Sequence, residues 1–318
     1  MVKPSGWCWM MLVAGCAAAP PAVKPEHASA VPTPAPSAAP PTRPSPPSVP
    51  TAAPPPPVSR FRDCGELGCK AFADAADAFD YVLEERPRVL AIGEAHAQAT
   101  GPKTVSATRR FMDGLLPRLA PRASDLVIEL WLANGSCGKV EQQVQQQQGA
   151  VTAPQAATNQ NEFVELGHHA KALGIMPHAL VPSCEQYQKI AGAGAADIEE
   201  MLTMIKTVTA RDINELLAKR GPERLVVAYG GAMHNDLAPR AGREAFSFGP
   251  ELAQATHGAY VELDLVVPEQ IKETDAWRAL PWYSYYSREK AGKEALLFSW
   301  APHAYALVFP PDSNVEPP

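Results

Sequence analysis

The chain predicts an α/β fold: a mostly parallel central sheet flanked by helices, closed by a C-terminal antiparallel hairpin. Three observations carry this. Strand-like apolar runs alternate with helical patterns, which implies βαβ units. Two of the runs, Val89–Ile92 and Leu225–Tyr229, pass into Gly-x-x-His turns, Gly93-Glu94-Ala95-His96 and Gly231-Ala232-Met233-His234. A third run, Asp125–Leu130, carries Glu129 inside an apolar stretch.

The elements follow in order. Phe72, Ala75, Ala76, Phe79, Val82 and Leu83 recur at helical spacing, so 71–85 is a helix that Pro87 ends. A strand over 88–92 follows. The stretch 105–119 is a second amphipathic helix, stopped by Pro121, and 125–130 is the next strand. Residues 140–148 are glutamine-rich and read as a polar helix or loop with no site. A helix over 162–173 has Gly174 as its C-terminal stop and Asn159 or Asn161 as N-cap. Pro177 interrupts 175–181, which makes that strand irregular or an edge. One long helix or a helix pair covers 196–220 and ends at Gly221-Pro222. A strand over 224–229, a short helix over 250–257 and a strand over 259–267 come next. Strands 295–300 and 304–309 close as a hairpin across Pro302-His303.

This domain spans 60–312, with a short tail over 313–318. The N-terminus is different in kind. Lys3, an apolar stretch from Trp7 to Ala14 and then small residues read as an export signal over 1–15. The stretch is shorter than the ~20 residues a membrane span needs. Val13-Ala14-Gly15-Cys16 resembles a bacterial lipobox, which implies cleavage before Cys16 and acylation of its thiol. The rival readings are a plain secretory signal cleaved near Ala19 and a short anchor. Ala17 after the cysteine resembles outer-membrane sorting. From 16 to 59 the chain is almost wholly Pro, Ala, Ser, Thr and Val, and holds much of its 34 prolines. Such a segment buries too little apolar surface to order itself. It reads as a semi-extended tether of roughly 3 Å per residue. The expected location is therefore the bacterial cell envelope, with the membrane as partner through a lipid anchor.

Net charge is −6 and no basic run is present, which leaves no electrostatic footprint for nucleic acid. Cys8 leaves with the signal, and Cys64, Cys69, Cys137 and Cys184 remain. An even number in an oxidising compartment suggests two disulfides. Of three pairings, Cys64–Cys69 and Cys137–Cys184 is preferred; a zinc site fits no common spacing.

The chemistry gathers at strand ends. In open α/β sheets, ligands sit beyond the carboxyl ends of the strands, where Glu94, His96, Glu129 and His234 all fall. A buried carboxylate is costly unless paired, hydrogen-bonded or metal-bound. Two chemistries fit. A histidine acts as general base on water, oriented by a carboxylate. Alternatively His96, His234, Glu94 and Glu129 bind a divalent metal (zinc, manganese or iron) that acidifies bound water. The structural rival for Glu129 is an ion pair with Arg109 or Arg110. Further candidates are His178 as a cavity-lining residue, Asn235 and Asp236 as partners that fix the His234 ring, and Glu262 and Asp264 as solvent-facing or supporting carboxylates. His168 and His169 read as helix-face residues. Trp277, Trp282, Tyr283, Tyr285 and Tyr286 form an aromatic stretch in a chain of 7% aromatics. It reads as core or lid packing, with Tyr283 the candidate haem-iron ligand. No Gly-x-Ser-x-Gly elbow, phosphate loop or dinucleotide fingerprint is present.

The segments Val89–His96, Leu126–Glu129 and Val226–His234 resemble the superfamily that joins ChaN haem-uptake lipoproteins, Tiki/TraB proteins and erythromycin esterases. The resemblance covers roughly 88–265. It implies an α/β fold with its site at the sheet's carboxyl edge. In the esterase branch, a Glu-and-His pair after the first strand is similar to Glu94 and His96, and a later strand-end glutamate to Glu129. In the Tiki branch, paired Gly-x-x-His motifs that bind metal are similar to those of His96 and His234. The ChaN branch carries an acidic residue after the first histidine, where this chain has Ala97. It also carries an arginine-and-glutamine motif where this chain has Trp131-Leu132-Ala133-Asn134-Gly135. The resemblance implies hydrolysis of an ester or amide in a small molecule, with binding of haem or an iron compound as the alternative.

Overall fold

The computed structural model describes residues 59–131, 133, 135–193 and 198–312. The signal, the lipobox with Cys16, nearly all of the tether and the tail lie outside the described residues, as does the expected start of the 196–220 helix. The chain divides into two units, 1–56 and 57–318, and the second carries the fold. No helix among the described residues is long and apolar enough to cross a membrane.

A nine-stranded sheet, mostly parallel and flanked by helices, forms the centre, in the order β1-β2-β8-β9-β7-β3-β6-β4-β5. β3 (Val89–Glu94) lies between β6 (Leu225–Gly231) and β7 (Tyr260–Val266), parallel to both. β4 (Ala123–Trp131) runs parallel to β6, and β5 (Met176–Leu180) forms the edge beside it. Pro177, which lacks an amide donor, sits on that edge strand as expected. β8 (Ala295–Ala301) and β9 (Ala304–Val308) form the C-terminal antiparallel hairpin, whose β9 joins β7 in parallel.

Two short strands were not legible in the sequence. β1 (Arg62–Asp63) pairs with β2 (Lys70–Phe72), and β2 with β8. Phe72 thereby belongs to the sheet, and α1 (Ala75–Leu83) starts later than its apolar spacing predicts. Asp74 caps it by accepting the amide hydrogen of Asp77. Cys64–Cys69 ties the β1–β2 loop, and Cys137–Cys184 joins the loop after β4 to the start of α6 (Cys184–Ala193), a helix the sequence reading passed over.

Alternation along the strands sends side chains to two layers. Leu90, Ile92, Leu126, Ile128, Val227 and Tyr229 pack under α1, the α2–α3 segment (Ala107–Arg110 and Leu116–Leu119, joined by a π turn) and α5 (Asn159–Ala172). Val89, Ala91, Val127, Trp131, Val226 and Ala228 pack under α4 (Lys139–Thr152), α6, α7 (Glu199–Lys219) and α8 (Gly249–Ala255). Glu94 follows Ile92 onto the first face, and Glu129 follows Val127 onto the second. The two carboxylates reach the carboxyl edge of the sheet from opposite sides.

Candidate functional site

The register places the two Gly-x-x-His turns side by side, with Gly93 opposite Gly230 and Glu94 opposite Gly231. Gly93, Gly230 and Gly231 all keep ordinary backbone angles, so sharp turning is not what glycine supplies here. Its use is the missing side chain. A Cβ on Gly230 would lie 2.4 Å from Glu129 Oε2. A Cβ on Gly231 would lie 3.3 Å from His96 Nε2, 3.5 Å from Glu129 Oε2 and 3.8 Å from His234 Cδ2. The space above Gly231 is therefore where three of the four expected side chains meet.

Glu94, the fourth, stands behind His96. It is 4% exposed and has three donors. His96 Nδ1 lies 3.1 Å from Oε1, while Thr108 Oγ1 and Tyr229 Oη each donate to Oε2 at 2.8 Å. Tyr229 is locked by stacking on Phe111 at 4.8 Å and by the edge of Phe163 at 5.7 Å. Burial, with the Glu94 charge, pushes the Tyr229 hydroxyl well up, so it remains a donor. Burial alone would depress the His96 pKa, but the Glu94 hydrogen bond and the charges of Glu129 and Glu94 outweigh it and the pKa is raised. With Nδ1–H directed at Glu94, neutral His96 presents its lone pair at Nε2.

Glu129 Oε2 accepts the Gly231 amide at 2.6 Å, and Oε1 lies 3.9 Å from His234 Nε2. The expected alternative of an ion pair with Arg109 or Arg110 does not form: Arg109 pairs with Glu165, and Arg110 with Glu269 at 3.3 Å. His234 is held by the Phe246 carbonyl, which accepts from Nδ1 at 2.7 Å, rather than by Asn235 or Asp236. Its Nε2 also faces the site.

Other expectations change. His178 does not reach the cavity. It pairs with Val127, two residues before Glu129, and its Nε2 lies 2.8 Å from Asp125 Oδ1, back toward the start of the strands. Arg220 completes that pair from Nε at 2.7 Å. Burial alone would raise the Asp125 carboxyl, but the hydrogen bonds from Arg220, Ser124 and His178 and the Arg220 charge outweigh it and hold the pKa low, at about 2. Tyr283 does not line the cavity either. It packs on Trp282 at 6.4 Å in a separate apolar cluster beneath β8 and β9. From this aromatic stretch it is Trp277 that reaches the cavity.

The cavity has a volume of about 490 Å³ and opens over the carboxyl edge, a size that suits a small organic ligand. Glu94, His96, Glu129 and His234 line its base. Two features escaped the sequence reading. The glutamine-rich segment forms α4 and contributes to the wall; Val144, Gln148, Val151 and Thr152 fall at helical spacing, the one signal that marks an inward face. Glu262 and Asp264 are not solvent-facing but 2% and 7% exposed, beside Asp236. Burial raises all three carboxyl pKa values, that of Asp236 to about 6, and mutual repulsion adds to the shift in Glu262 and Asp264. Among the described residues, these three are the group whose ligand atoms all lie within 4.8 Å of one another and could hold a metal ion. Glu94, His96, Glu129 and His234 do not converge to that degree; Glu94 is committed to its three donors and His234 Nδ1 to Phe246.

No protein-family profile matches the chain, and no curated protein matches it. A solved structure entitled "The structure of the type III effector HopBA1" is similar at a TM-score of 0.37 and 8% identity, over 75% of this chain and 94% of that one. A likeness at that level carries no argument about function.

Proposed function

We propose that this protein is a hydrolase that cleaves an ester or amide of a small molecule with a water activated by His96 and Glu94. One observation carries the reading: a buried carboxylate aligns a histidine whose other nitrogen opens into a cavity. In the proposed step, His96 Nε2 takes a proton from water as the water oxygen bonds to the carbonyl carbon. Glu94 stabilises the imidazolium through Nδ1–H. His234, with Nδ1–H on the Phe246 carbonyl, turns Nε2 toward the site beside Glu129. Collapse of the tetrahedral intermediate breaks the bond to the leaving group, which takes the proton back from His96. Glu129, fixed by the Gly231 amide, orients the water from the far side.

The alternative, haem or iron-compound binding, draws no support from its expected contacts, since His178 and Tyr283 lie away from the cavity. The proposed setting is a lipid-anchored protein of the bacterial envelope, with the tether holding the domain off the membrane. A panel of 4-nitrophenyl esters and anilides, with and without zinc or manganese, tests hydrolysis. Turnover in any member supports the reading, and none with either metal removes it. Elemental analysis and a haem titration separate the rivals: a Soret band that His96→Ala abolishes would establish the haem alternative. Radiolabelled palmitate should mark the wild-type chain and spare Cys16→Ala; equal labelling would refute the anchor.

A further inference from the structure

The lining above the candidate site has a composition that the water-activation reading does not use. It carries six carboxamides: Gln98, Gln148, Gln155, Asn159, Gln160 and Gln270. Gln98 donates to the His96 carbonyl at 2.8 Å and Asn159 to the Ala97 carbonyl at 3.0 Å, so these two brace the loop after β3. The amides of half-buried Gln148 and exposed Gln160 have no hydrogen-bond partner among the described residues, and half-buried Gln155 has only a long contact of 3.5 Å from Asn159. Trp131, two residues beyond Glu129 on the same face of β4, also lines the cavity. It is 8% exposed, and its Nε1 is buried without an acceptor. A buried orphan donor calls for an explanation, and a ligand oxygen supplies one.

Apolar side chains share this lining: Met201, Leu202 and Ile205 of α7, Phe163 of α5, and Trp277 face the same space. Charge takes little part above the base: Lys272, exposed, is the one lysine or arginine of the lining.

A carboxamide both donates and accepts, as a hydroxyl does, and has no preference for a charged partner. Carboxamides with an indole N–H therefore match a neutral, hydroxyl-rich group. The apolar side chains among them match a hydrocarbon chain or a ring face. We infer that the ligand of this cavity is an uncharged sugar bearing an apolar substituent, and that the substrate is an acylated sugar whose ester carbonyl sits above Gly231. This rests on the hydrolase reading for the word substrate; the binding class stands on the walls alone.

Calorimetric titration of the full chain tests it with hexyl β-glucoside, 1-hexanol, hexyl sulfate and hexyltrimethylammonium. The glucoside should bind at least tenfold more tightly than the other three. Trp131→Phe, which keeps the ring and loses the donor, and Gln155→Leu with Gln160→Leu should each weaken the glucoside several-fold. Both should leave hexanol unchanged. Equal affinity of glucoside and hexanol, or preference for either ion, overturns the inference from the wild-type chain alone. Turnover of 6-O-hexanoylglucose against ethyl hexanoate is read separately. Glucoside binding with no turnover of either ester leaves the sugar class standing and removes hydrolysis. Turnover with no preference for the sugar ester removes the sugar class and leaves hydrolysis.

Discussion

At the scale of single residues, the Glu94–His96 pair sets the pH dependence. The fold raises the His96 pKa above 6.5. Its stabilising contribution is therefore present below pH 6.5 and lost as pH rises through the folded value. Catalysis runs the other way, since the neutral ring is the base, and rate should rise with pH through that same value. Glu94→Gln keeps an acceptor for Nδ1–H but removes the charge. The rise should then shift acidward by about one pH unit, and kcat should fall about 10- to 100-fold. A pH–rate profile from 4 to 9 checks both; an unmoved profile would contradict the role of Glu94. Gly230 offers a test by crowding. A methyl group there overlaps Glu129 Oε2, so Gly230→Ala should abolish activity and cost about 1–3 kcal/mol of stability. Denaturant titration beside the activity assay measures the two together.

At the scale of elements, the two disulfides contribute unequally. Loop-closure entropy assigns roughly 4 kcal/mol to Cys137–Cys184, with a separation of 47 residues, and roughly 2 kcal/mol to Cys64–Cys69, with 5. Replacing the first pair by serine should therefore lower the melting temperature more than replacing the second; the reverse order would show that the β1–β2 loop is the more tightly coupled element. The β7 carboxylates carry a second prediction. With folded pKa values raised above the unfolded 3.8 of aspartate and 4.5 of glutamate, their stabilising effect is complete only below pH 3.8. It is lost as pH rises through about 6 for Asp236 and through the raised values of its neighbours. Asp264→Asn removes one buried charge and keeps an acceptor for the Asn235 amide, which donates to Asp264 at 3.1 Å. It should raise stability by roughly 1–3 kcal/mol at pH 8 and leave it unchanged at about pH 3. Melting curves at the two pH values decide.

These elements also show what a single sequence can convey. β3, β4 and β6 were legible because they are buried on both faces and read as nearly continuous apolar runs, and β7 because Val261, Leu263 and Leu265 alternate with Glu262 and Asp264. The partition of Glu129 away from Leu126, Ile128 and Leu130 followed from the period of two. β1 and β2 were not legible, because short strands carry no periodicity and Phe72 also fits the spacing of α1. The role of α4 was hidden because polar residues that line a cavity look like polar residues that face water. The choice between solvent-facing and supporting roles for Glu262 and Asp264 stayed open for the same reason.

At the scale of the whole molecule, the sheet edge brings carboxylates from its two faces to one floor, and the helices on both sides raise walls of carboxamides and apolar side chains above it. In the proposed function these parts have separate tasks: the floor acts on a carbonyl, and the walls choose what carries it. The central claim is that His96 activates water. The most direct measurement is kcat/KM for a 4-nitrophenyl hexanoate assay in the wild type and in His96→Gln, with melting temperatures recorded for both. The account predicts a fall of at least 100-fold with melting temperatures within a few degrees of each other. Equal rates in the two proteins, or no measurable rate in the folded wild type, would contradict it.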